Sequence, residues 1–281
     1  MPLLAAHART FTHKARLAVT LSWIAGFVNV TIVAVCGTTV SHVTGNVTTF
    51  GLHLAENLNG REMIGPVLFL LHLPVGFLIG AMLSQILLRL GQAIHGIRPA
   101  ALPMTAEVVL LALLAVAFAE FRDGGHATFW LWVVTSLGVI AMGLQNATVT
   151  RISGSVVRTT HLTGVTTDFG IELVDLFIWT ARRLKGGRSA IAKIHRHASA
   201  RRLAILAAIW WSFFLGAIFG AIVCVRWPKL GLWPPTAFLV LLLATDVWAI
   251  ARRRRSIEDK RQTRRARYNP QADDRRPRPI P

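Results

Sequence analysis

Two copies of one polar motif stand in this otherwise apolar sequence. Residues 41–52, SHVTGNVTTFGL, align without a gap with residues 160–171, THLTGVTTDFGI. Histidine, threonine, glycine and phenylalanine recur at the same offsets, and the polar types among them bind protons and exchange hydrogen bonds. Chance drift in an apolar chain pairs Leu with Leu, not His-x-Thr-Gly with His-x-Thr-Gly. The duplication predicts a polar site built between two related halves of a membrane protein.

His42 and His161 are the residues of the two copies best suited to proton chemistry. A histidine side chain titrates near neutral pH, so either ring fits a proton relay, and either also fits the end of a helix. Zinc sites pair such a ligand with another close in sequence, as in His-x3-His, and neither histidine has that partner. We therefore assign no metal site. No cofactor and no catalytic residue is assigned either.

Polar residues follow each histidine at helical spacing. In the second copy they are Asp168, Glu172 and Asp175, and the matching residues of the first copy are Thr49, His53 and Glu56. Steps of four and three residues place each set on one face of a helix. Two interpretations fit: an amphipathic helix on the membrane surface with its acids in water, or a re-entrant helix lining a polar cavity. Thr44 and Thr163, just before Gly45 and Gly164, are predicted to cap these helices.

Two asparagines occupy matching places inside apolar stretches. Asn29 lies in a GFVNVT segment and Asn146 in a GLQNAT segment. A buried amide needs partners, since an unpaired one costs about 1–3 kcal/mol. A hydrogen bond between helices and a role in a two-fold site explain the pair equally well. Arg158, beside the predicted helix start at Thr163, is suited to an anion.

These residues together form the predicted pathway for a solute or ion. Its members are Asn29, His42, Thr44, Gly45, Asn46, Asn146, Arg158, His161, Thr163, Gly164, Asp168 and Glu172.

The composition places the chain in a membrane. Apolar residues make up 53% of it and the mean hydropathy is +0.50. Six stretches approach the roughly 20 residues that a spanning helix needs. They are residues 17–36, 64–88, 101–119, 129–150, 203–225 and 233–251. Almost all lack charges at their centres, and Glu107 and Asp246 stand out as exceptions near the ends.

The net charge of +18 is concentrated in a linker and a tail. Residues 182–202 carry eight Lys or Arg and no acid, and residues 252–281 carry twelve against four acids. These runs flank spans, so the positive-inside rule explains them and nucleic acid is not a predicted partner. Anionic lipids of the bilayer are the predicted partners of these basic runs. Both termini are predicted to be cytoplasmic, in a bacterial inner membrane, with the tail disordered.

The expected fold is all-α, a polytopic bundle of about six spans in two three-span repeats, each with a short polar re-entrant or amphipathic helix. Its parts are a basic N-terminus (1–16), a first membrane repeat (17–120), a second repeat (129–251) with the basic linker 182–202, and a basic tail (252–281). Because three is odd, the repeats are inverted across the membrane. If residues 43–58 and 162–181 also span, each repeat has four segments and the repeats are parallel. Glycines spaced by four, such as Gly76 and Gly80, predict close helix packing inside the chain or between copies of it.

Three classes of function fit these features. A transporter or channel for a small solute is favoured, because a duplicated polar element suits a site between halves. A membrane-embedded enzyme acting on a lipid-linked substrate would use the histidines and acids for proton transfer. A non-catalytic scaffold or sensor would tolerate loss of the polar motif. The sequence contains no phosphate loop, dinucleotide fingerprint, nucleophile elbow or His-Glu-x-x-His.

The same motifs resemble a known family. Residues 25–29 (AGFVN), 41–46 (SHVTGN), 142–147 (MGLQNA) and 158–164 (RTTHLTG) are similar to those of the YoaK-type bacterial inner-membrane proteins, a largely uncharacterised family. The resemblance covers about residues 15–250. It implies a polytopic inner-membrane protein and no particular substrate. It also implies that Asp is more usual in relatives at the position of Asn29. If that carboxylate couples ions in relatives, the resemblance does not imply the same coupling in this chain.

Overall fold

Every regular element that the structure describes is an α-helix. The structure is a computed structural model that describes residues 2–60, 63–94, 99–122, 124, 127–153, 162–184, 198–245, 248, 252 and 258. The helices are α1 (Pro2–Cys36), α2 (Val43–Leu58), α3 (Ile64–Ala93), α4 (Ala101–Arg122), α5 (Ala127–Ser153), α6 (Leu162–Leu184), α7 (Ala198–Arg226) and α8 (Trp233–Thr245). The chain divides into a large unit, residues 1–239, and a small one, residues 240–281. In the small unit the Arg252 guanidinium lies 5.2 Å from the centre of the Trp248 ring.

Among the described residues, five helices contain segments that are long and apolar enough to cross a membrane. These segments are Ala15–Cys36, Ile64–Ala93, Ala101–Arg122, Ala127–Ile152 and Ser199–Arg226. The predicted sixth span, residues 233–251, is described only as α8, a shorter apolar helix, because residues 246, 247 and 249–251 lie outside the described ranges. The prediction of an all-α fold is confirmed, and the lengths and apolar composition of these helices fit a multi-pass membrane protein.

Two helices, α2 and α6, differ from the spans in the pattern of their apolar residues. α2 and α6 are amphipathic and follow α1 and α5, respectively. α1 ends at Cys36 because Gly37 takes a left-handed backbone, with φ of +70°, while its N–H donates to the carbonyl of Val33. This turn sends the chain into residues 38–42 and then into α2.

The core of the large unit is built from two closely packed helix pairs. α1 packs mainly against α7, and α3 packs mainly against α5, while α1 and α5 join the two pairs. α4 lies against α5 and α3, α2 against α3, and α6 against α7. α8 contacts both α4 and α1. Its Thr236 Oγ1 donates to the carbonyl of Leu111 in α4 at 3.3 Å, and its Phe238 ring lies 5.2 Å from the Trp23 ring of α1.

Matching glycines make matching contacts in the two pairs. A Cβ atom on Gly26 of α1 would overlap the carbonyl oxygen of Phe213 in α7, and one on Gly143 of α5 would overlap the carbonyl oxygen of Phe77 in α3. In the sequence alignment that predicts the two repeats, Gly26 corresponds to Gly143 and Phe77 corresponds to Phe213. Each pair therefore takes one helix from each half of the sequence.

Two further glycines, Gly80 of α3 and Gly216 of α7, make the reciprocal contacts in the same two helix pairs. A Cβ on Gly80 of α3 would overlap the carbonyl oxygen of Ile140 in α5, and one on Gly216 of α7 would overlap that of Trp23 in α1. The predicted glycine stripes thus serve backbone-to-backbone packing inside the chain, where no larger side chain fits. Association between copies of the chain stays a prediction.

Candidate functional site

An open cavity of about 400 Å³ lies where α1 ends and α2 begins. It is bounded by the end of α1, the connecting residues 37–42, one face of α2 and the start of α3. Its lining residues are Cys36, Gly37, Thr38, Thr39, His42, Gly45, Asn46, Thr49, His53, Pro66, Phe69 and Leu70. Three members of the predicted pathway, His42, Gly45 and Asn46, are among them.

The polar face of α2 is the face that meets this cavity. Asn46, Thr49 and His53 are spaced by three and four residues, so they lie one above the other on one side of the helix. Val47 and Leu52, on other sides, are exposed apolar residues. The geometry of α2 thus corresponds to the cavity-lining interpretation for Thr49 and His53, while Glu56 is exposed.

Two asparagines hold the connecting residues that form the rim of the cavity. The Asn46 amide Nδ2 donates to the carbonyl of Thr39 at 2.9 Å, and its Oδ1 accepts from the Thr39 hydroxyl at 2.9 Å. Asn29 Oδ1 accepts from the Ser41 hydroxyl at 3.0 Å and from the Val40 N–H at 3.3 Å. Asn29 therefore ties this segment to α1, and Asn46 ties it to α2.

The start of α2 depends on a glycine and not on a threonine cap. His42 occupies the N-cap position without a side-chain capping bond, and its ring lies over Gly45, where a Cβ would come within 2.5 Å of ring Nδ1. Thr44 lies inside the helix, so the prediction that it caps α2 is wrong. Thr163 likewise lies inside α6, whose described range begins at Leu162. In both cases the helix extends past the threonine toward the histidine.

The second polar motif is used differently in the described part of the chain. Arg158 and His161 lie outside the described residues. Asp168 and Asp175 of α6 are exposed, and Glu172 accepts an ion-pair contact from Arg202 of α7 at 3.1 Å. Helices α2 and α6 make no contact among the described elements. The two polar faces are not brought together, and Thr163, Gly164, Asp168 and Glu172 do not reach the cavity.

Asn146 has a different environment from its counterpart Asn29. Its Oδ1 is buried and accepts no hydrogen bond from the described residues. The residues that correspond to Val40 and Ser41 are Thr159 and Thr160, which lie outside the described ranges. The amide of the preceding residue, Gln145, instead donates from Nε2 to the carbonyl of Leu21 in α1 at 3.1 Å, where the two helix pairs meet.

Two polar residues of the core were absent from the predicted pathway. Glu107 of α4 is fully buried, with Gln145 as its polar neighbour. His72 of α3 lies 3.2 Å from the Thr135 hydroxyl of α5, through its Nε2. One signal in the sequence draws attention to Glu107. Residues 103–111, PMTAEVVLL, match residues 234–242, PPTAFLVLL, so a glutamate occupies the place that Phe238 has in the other half.

The described residues contain no group of three or more His, Cys, Asp or Glu side chains that could hold a metal ion. The polar groups that line the cavity are two imidazoles, a thiol, an asparagine amide, threonine hydroxyls and backbone groups. This set suits hydrogen bonding to a small polar solute and exchange of protons with it.

The described part of the chain, with five span-length helices, two amphipathic helices and a polar cavity where α1, α2 and α3 meet, corresponds to a polytopic helical membrane protein. The chain belongs to the family described as Protein of unknown function (DUF1275), whose model matches residues 17–245. No curated protein and no solved structure matches the chain. Membership of an uncharacterised family, implied by the resemblance of the motifs, is confirmed, and the narrower YoaK-type assignment stays a prediction.

Proposed function

We propose that this protein is a transporter or channel for a small polar solute in the bacterial inner membrane, with both termini in the cytoplasm. The observation that supports this best is the cavity of about 400 Å³ lined by the first polar motif. Cavities that bind small molecules are concave and carry a few well-placed polar groups, and this one has His42, Asn46 and His53.

The position of the cavity supports movement of a solute rather than simple binding. α1 belongs to one helix pair and α3 to the other, and both contribute to the cavity wall through Cys36, Phe69 and Leu70. A change in the contact between the pairs would alter the cavity directly. Inverted-repeat transporters work by rocking one packed body against another in this way.

The two halves contribute unequally in this proposal. The first motif forms the entrance, at the face that the loop charges predict to be external. The second motif, on the side of the basic linker, forms the corresponding opening to the cytoplasm with His161 and Arg158. Anionic lipids bind the basic linker and tail and fix the orientation.

Two adjacent threonines of α2 give a matched test. Thr49 lines the cavity and Thr48 does not, yet both are exposed and each bonds a carbonyl one turn back, at Gly45 and Thr44. We expect Thr49→Trp to fill the cavity and Thr48→Trp to leave it open. The purified protein is reconstituted into liposomes, and uptake of a panel of labelled small polar solutes is compared with uptake by protein-free liposomes.

The expected result is uptake of at least one solute by the wild type and by Thr48→Trp, and loss of that uptake in Thr49→Trp. Circular dichroism and thermal unfolding of both variants check that the helices are intact. Equal uptake by the two variants would show that the cavity is not the route. Uptake no faster than in protein-free liposomes across the panel would reject transport of these solutes.

A further inference from the structure

A buried acid lies beside the contact that joins the two helix pairs. Glu107 of α4 and Gln145 of α5 are both 0% exposed. The two side chains are neighbours, and the Gln145 amide reaches across to the Leu21 carbonyl of α1 at 3.1 Å. Glu107 is therefore one side chain away from the α1–α5 contact.

Three buried oxygen atoms of this cluster accept no hydrogen bond of normal geometry within the described part of the chain, although the Gln145 amide lies close enough to interact with the Glu107 carboxyl group. Both carboxyl oxygens of Glu107 and Oε1 of Gln145 are buried and form no hydrogen bond with the described residues. Native proteins rarely leave buried acceptors unpaired, because each unpaired group costs about 1–3 kcal/mol and an ionised one costs more. Three together indicate that a positively charged or proton-donating species occupies this place.

No described side chain of the surrounding helices supplies that charge. Arg16 of α1, Arg89 of α3, and Arg151 of α5 are exposed. Glu120 and Arg122, the other charged residues of α4, are exposed too. The imidazole of His72 on α3 is engaged with Thr135 and with the Phe69 carbonyl. The species that satisfies the cluster is therefore small and comes from outside these side chains.

A proton fits the cluster better than a divalent metal ion does. Ca²⁺ takes six to eight oxygen ligands and Mg²⁺ takes six in an octahedron, whereas three unpaired oxygens are present here. A protonated Glu107 needs no counter-charge, and its O–H can donate to Gln145 Oε1. One proton thus removes the charge and pairs two of the three oxygens.

We propose that Glu107 binds and releases a proton inside the helix bundle and is the proton-coupling group of the transporter proposed above. The coupling part rests on that proposed function, whereas proton binding by Glu107 does not. The closely packed arrangement, with Gln145 bonded to Leu21, is the protonated state. Release of the proton to water leaves a carboxylate that must be hydrated, so water has to enter beside the α1–α5 contact, and release is linked to opening between the helix pairs.

The first experiment measures the proton directly. Infrared spectra of the purified full-length protein in lipid nanodiscs are recorded across a pH series, and the carbonyl absorption of protonated carboxyl groups is followed. Exposed acids are ionised at neutral pH, so the band expected there belongs to a buried group. Glu107→Gln removes the group and keeps its shape, and Glu120→Gln is the matched control, an exposed acid on the same helix.

We expect the band at neutral pH in the wild type and in Glu120→Gln, and its loss in Glu107→Gln. Glu107→Met provides the comparison if the Gln variant does not fold. Absence of the band from the wild type, or its persistence in a folded Glu107 variant, would overturn the proposal. Loss of the wild-type band on adding Na⁺ at constant pH would also overturn it, since it would identify a sodium site.

The second experiment tests coupling. Proteoliposomes loaded with a pH-sensitive dye receive the same solute panel, and the internal pH is followed. Proton movement evoked by a solute in the wild type and in Glu120→Gln, and lost in Glu107→Gln, supports coupling. Solute uptake without proton movement rejects coupling and leaves transport in place. If no solute is taken up, the proposed function fails, while the infrared spectra still decide whether Glu107 holds a proton.

Discussion

Gly26 of α1 lies directly against the backbone of Phe213 in α7, so close that a Cβ atom would stand 3.0 Å from the Phe213 carbonyl carbon and closer still to its oxygen. The corresponding residues Gly143 and Phe77 make the same contact between α5 and α3. Helices of one half of the sequence are thus packed onto helices of the other. Rigid bodies in this protein are expected to be these mixed pairs and not the halves themselves.

The first prediction concerns these glycine contacts. Gly26→Ala and Gly143→Ala should each lower the free energy of unfolding by about 1–3 kcal/mol, because the added methyl group forces two backbones apart. Because the two contacts match, the two losses should be similar. Thermal unfolding of the purified protein in detergent, together with the yield of folded protein, measures them.

Gly65 provides the control for that prediction. It lies in α3, is exposed, and has no neighbouring atom within 4 Å of the place where a Cβ would stand. Gly65→Ala should leave stability unchanged or raise it by up to about 1 kcal/mol, through helix propensity. A loss of stability equal to that of Gly26→Ala would mean that helix contact does not explain the losses at Gly26 and Gly143.

The second prediction separates the two asparagines of the cavity rim. Within the described residues Asn29 bonds through its Oδ1, as an acceptor, whereas Asn46 also donates from Nδ2 to Thr39. Asn29→Asp should therefore keep its hydrogen bonds and change stability little. Asn46→Asp should lose one donor and place a carboxylate oxygen against the Thr39 carbonyl, at a cost of about 1–3 kcal/mol.

Limited proteolysis within residues 37–42, combined with thermal unfolding, compares the two variants. The Asn46 variant should be cut faster than the wild type and the Asn29 variant at the wild-type rate. Equal behaviour of the two would contradict the assigned roles. The comparison also bears on relatives, because the resemblance implies Asp at the place of Asn29.

The spans and the polar face of α2 can be predicted from the sequence, whereas the pairing of the helices cannot. The spans are predictable because charge-free apolar runs of this length have few alternatives. The polar face of α2 is predictable because helical spacing places Thr49 and His53 on one side. The pairing of the helices is not predictable in this way, since Gly26 and Gly80 predict close packing but do not identify the partner helix.

The roles of single polar residues depend on distant neighbours and were harder to assign. Asn29 reads as a pathway residue in the sequence, yet it accepts hydrogen bonds from the segment that follows its own helix. Glu107 reads as an acid near the end of a span, and its significance comes from the burial that α4 and α5 impose on it. Thr44 does not cap α2 because the helix begins two residues earlier than that prediction requires, at Val43, with His42 at the N-cap position.

The third prediction concerns a hydrogen bond between two helices of one pair. The Ser84 hydroxyl of α3 lies 2.7 Å from the Thr148 hydroxyl of α5, and both residues are buried. A double-mutant cycle with Ser84→Ala and Thr148→Val should give a coupling energy of about 0.6 kcal/mol, the average for such bonds in membranes. A second cycle, which combines Ser84→Ala with Thr105→Val, is the uncoupled control. Thr105 is exposed on α4, and its hydroxyl bonds a carbonyl of its own helix. A coupling energy near zero for Ser84 and Thr148 would mean that the two hydroxyls find equal partners when separated.

The last prediction tests the inverted relation of the two polar motifs. Thr48 of α2 and Thr167 of α6 occupy matching positions, are exposed, and bond the carbonyl one turn back at 2.9 Å and 3.0 Å. Single cysteines at these positions, with Cys36 and Cys224 replaced by serine, should react equally well once the membrane is opened. In intact cells, a membrane-impermeant thiol reagent should label Thr48→Cys and not Thr167→Cys, because three spans separate the motifs. Labelling of both from outside would instead mean four membrane-crossing segments in each half and parallel repeats. The two motifs would then lie on the same side of the membrane, and they could not form the entrance and the exit of the proposed solute route.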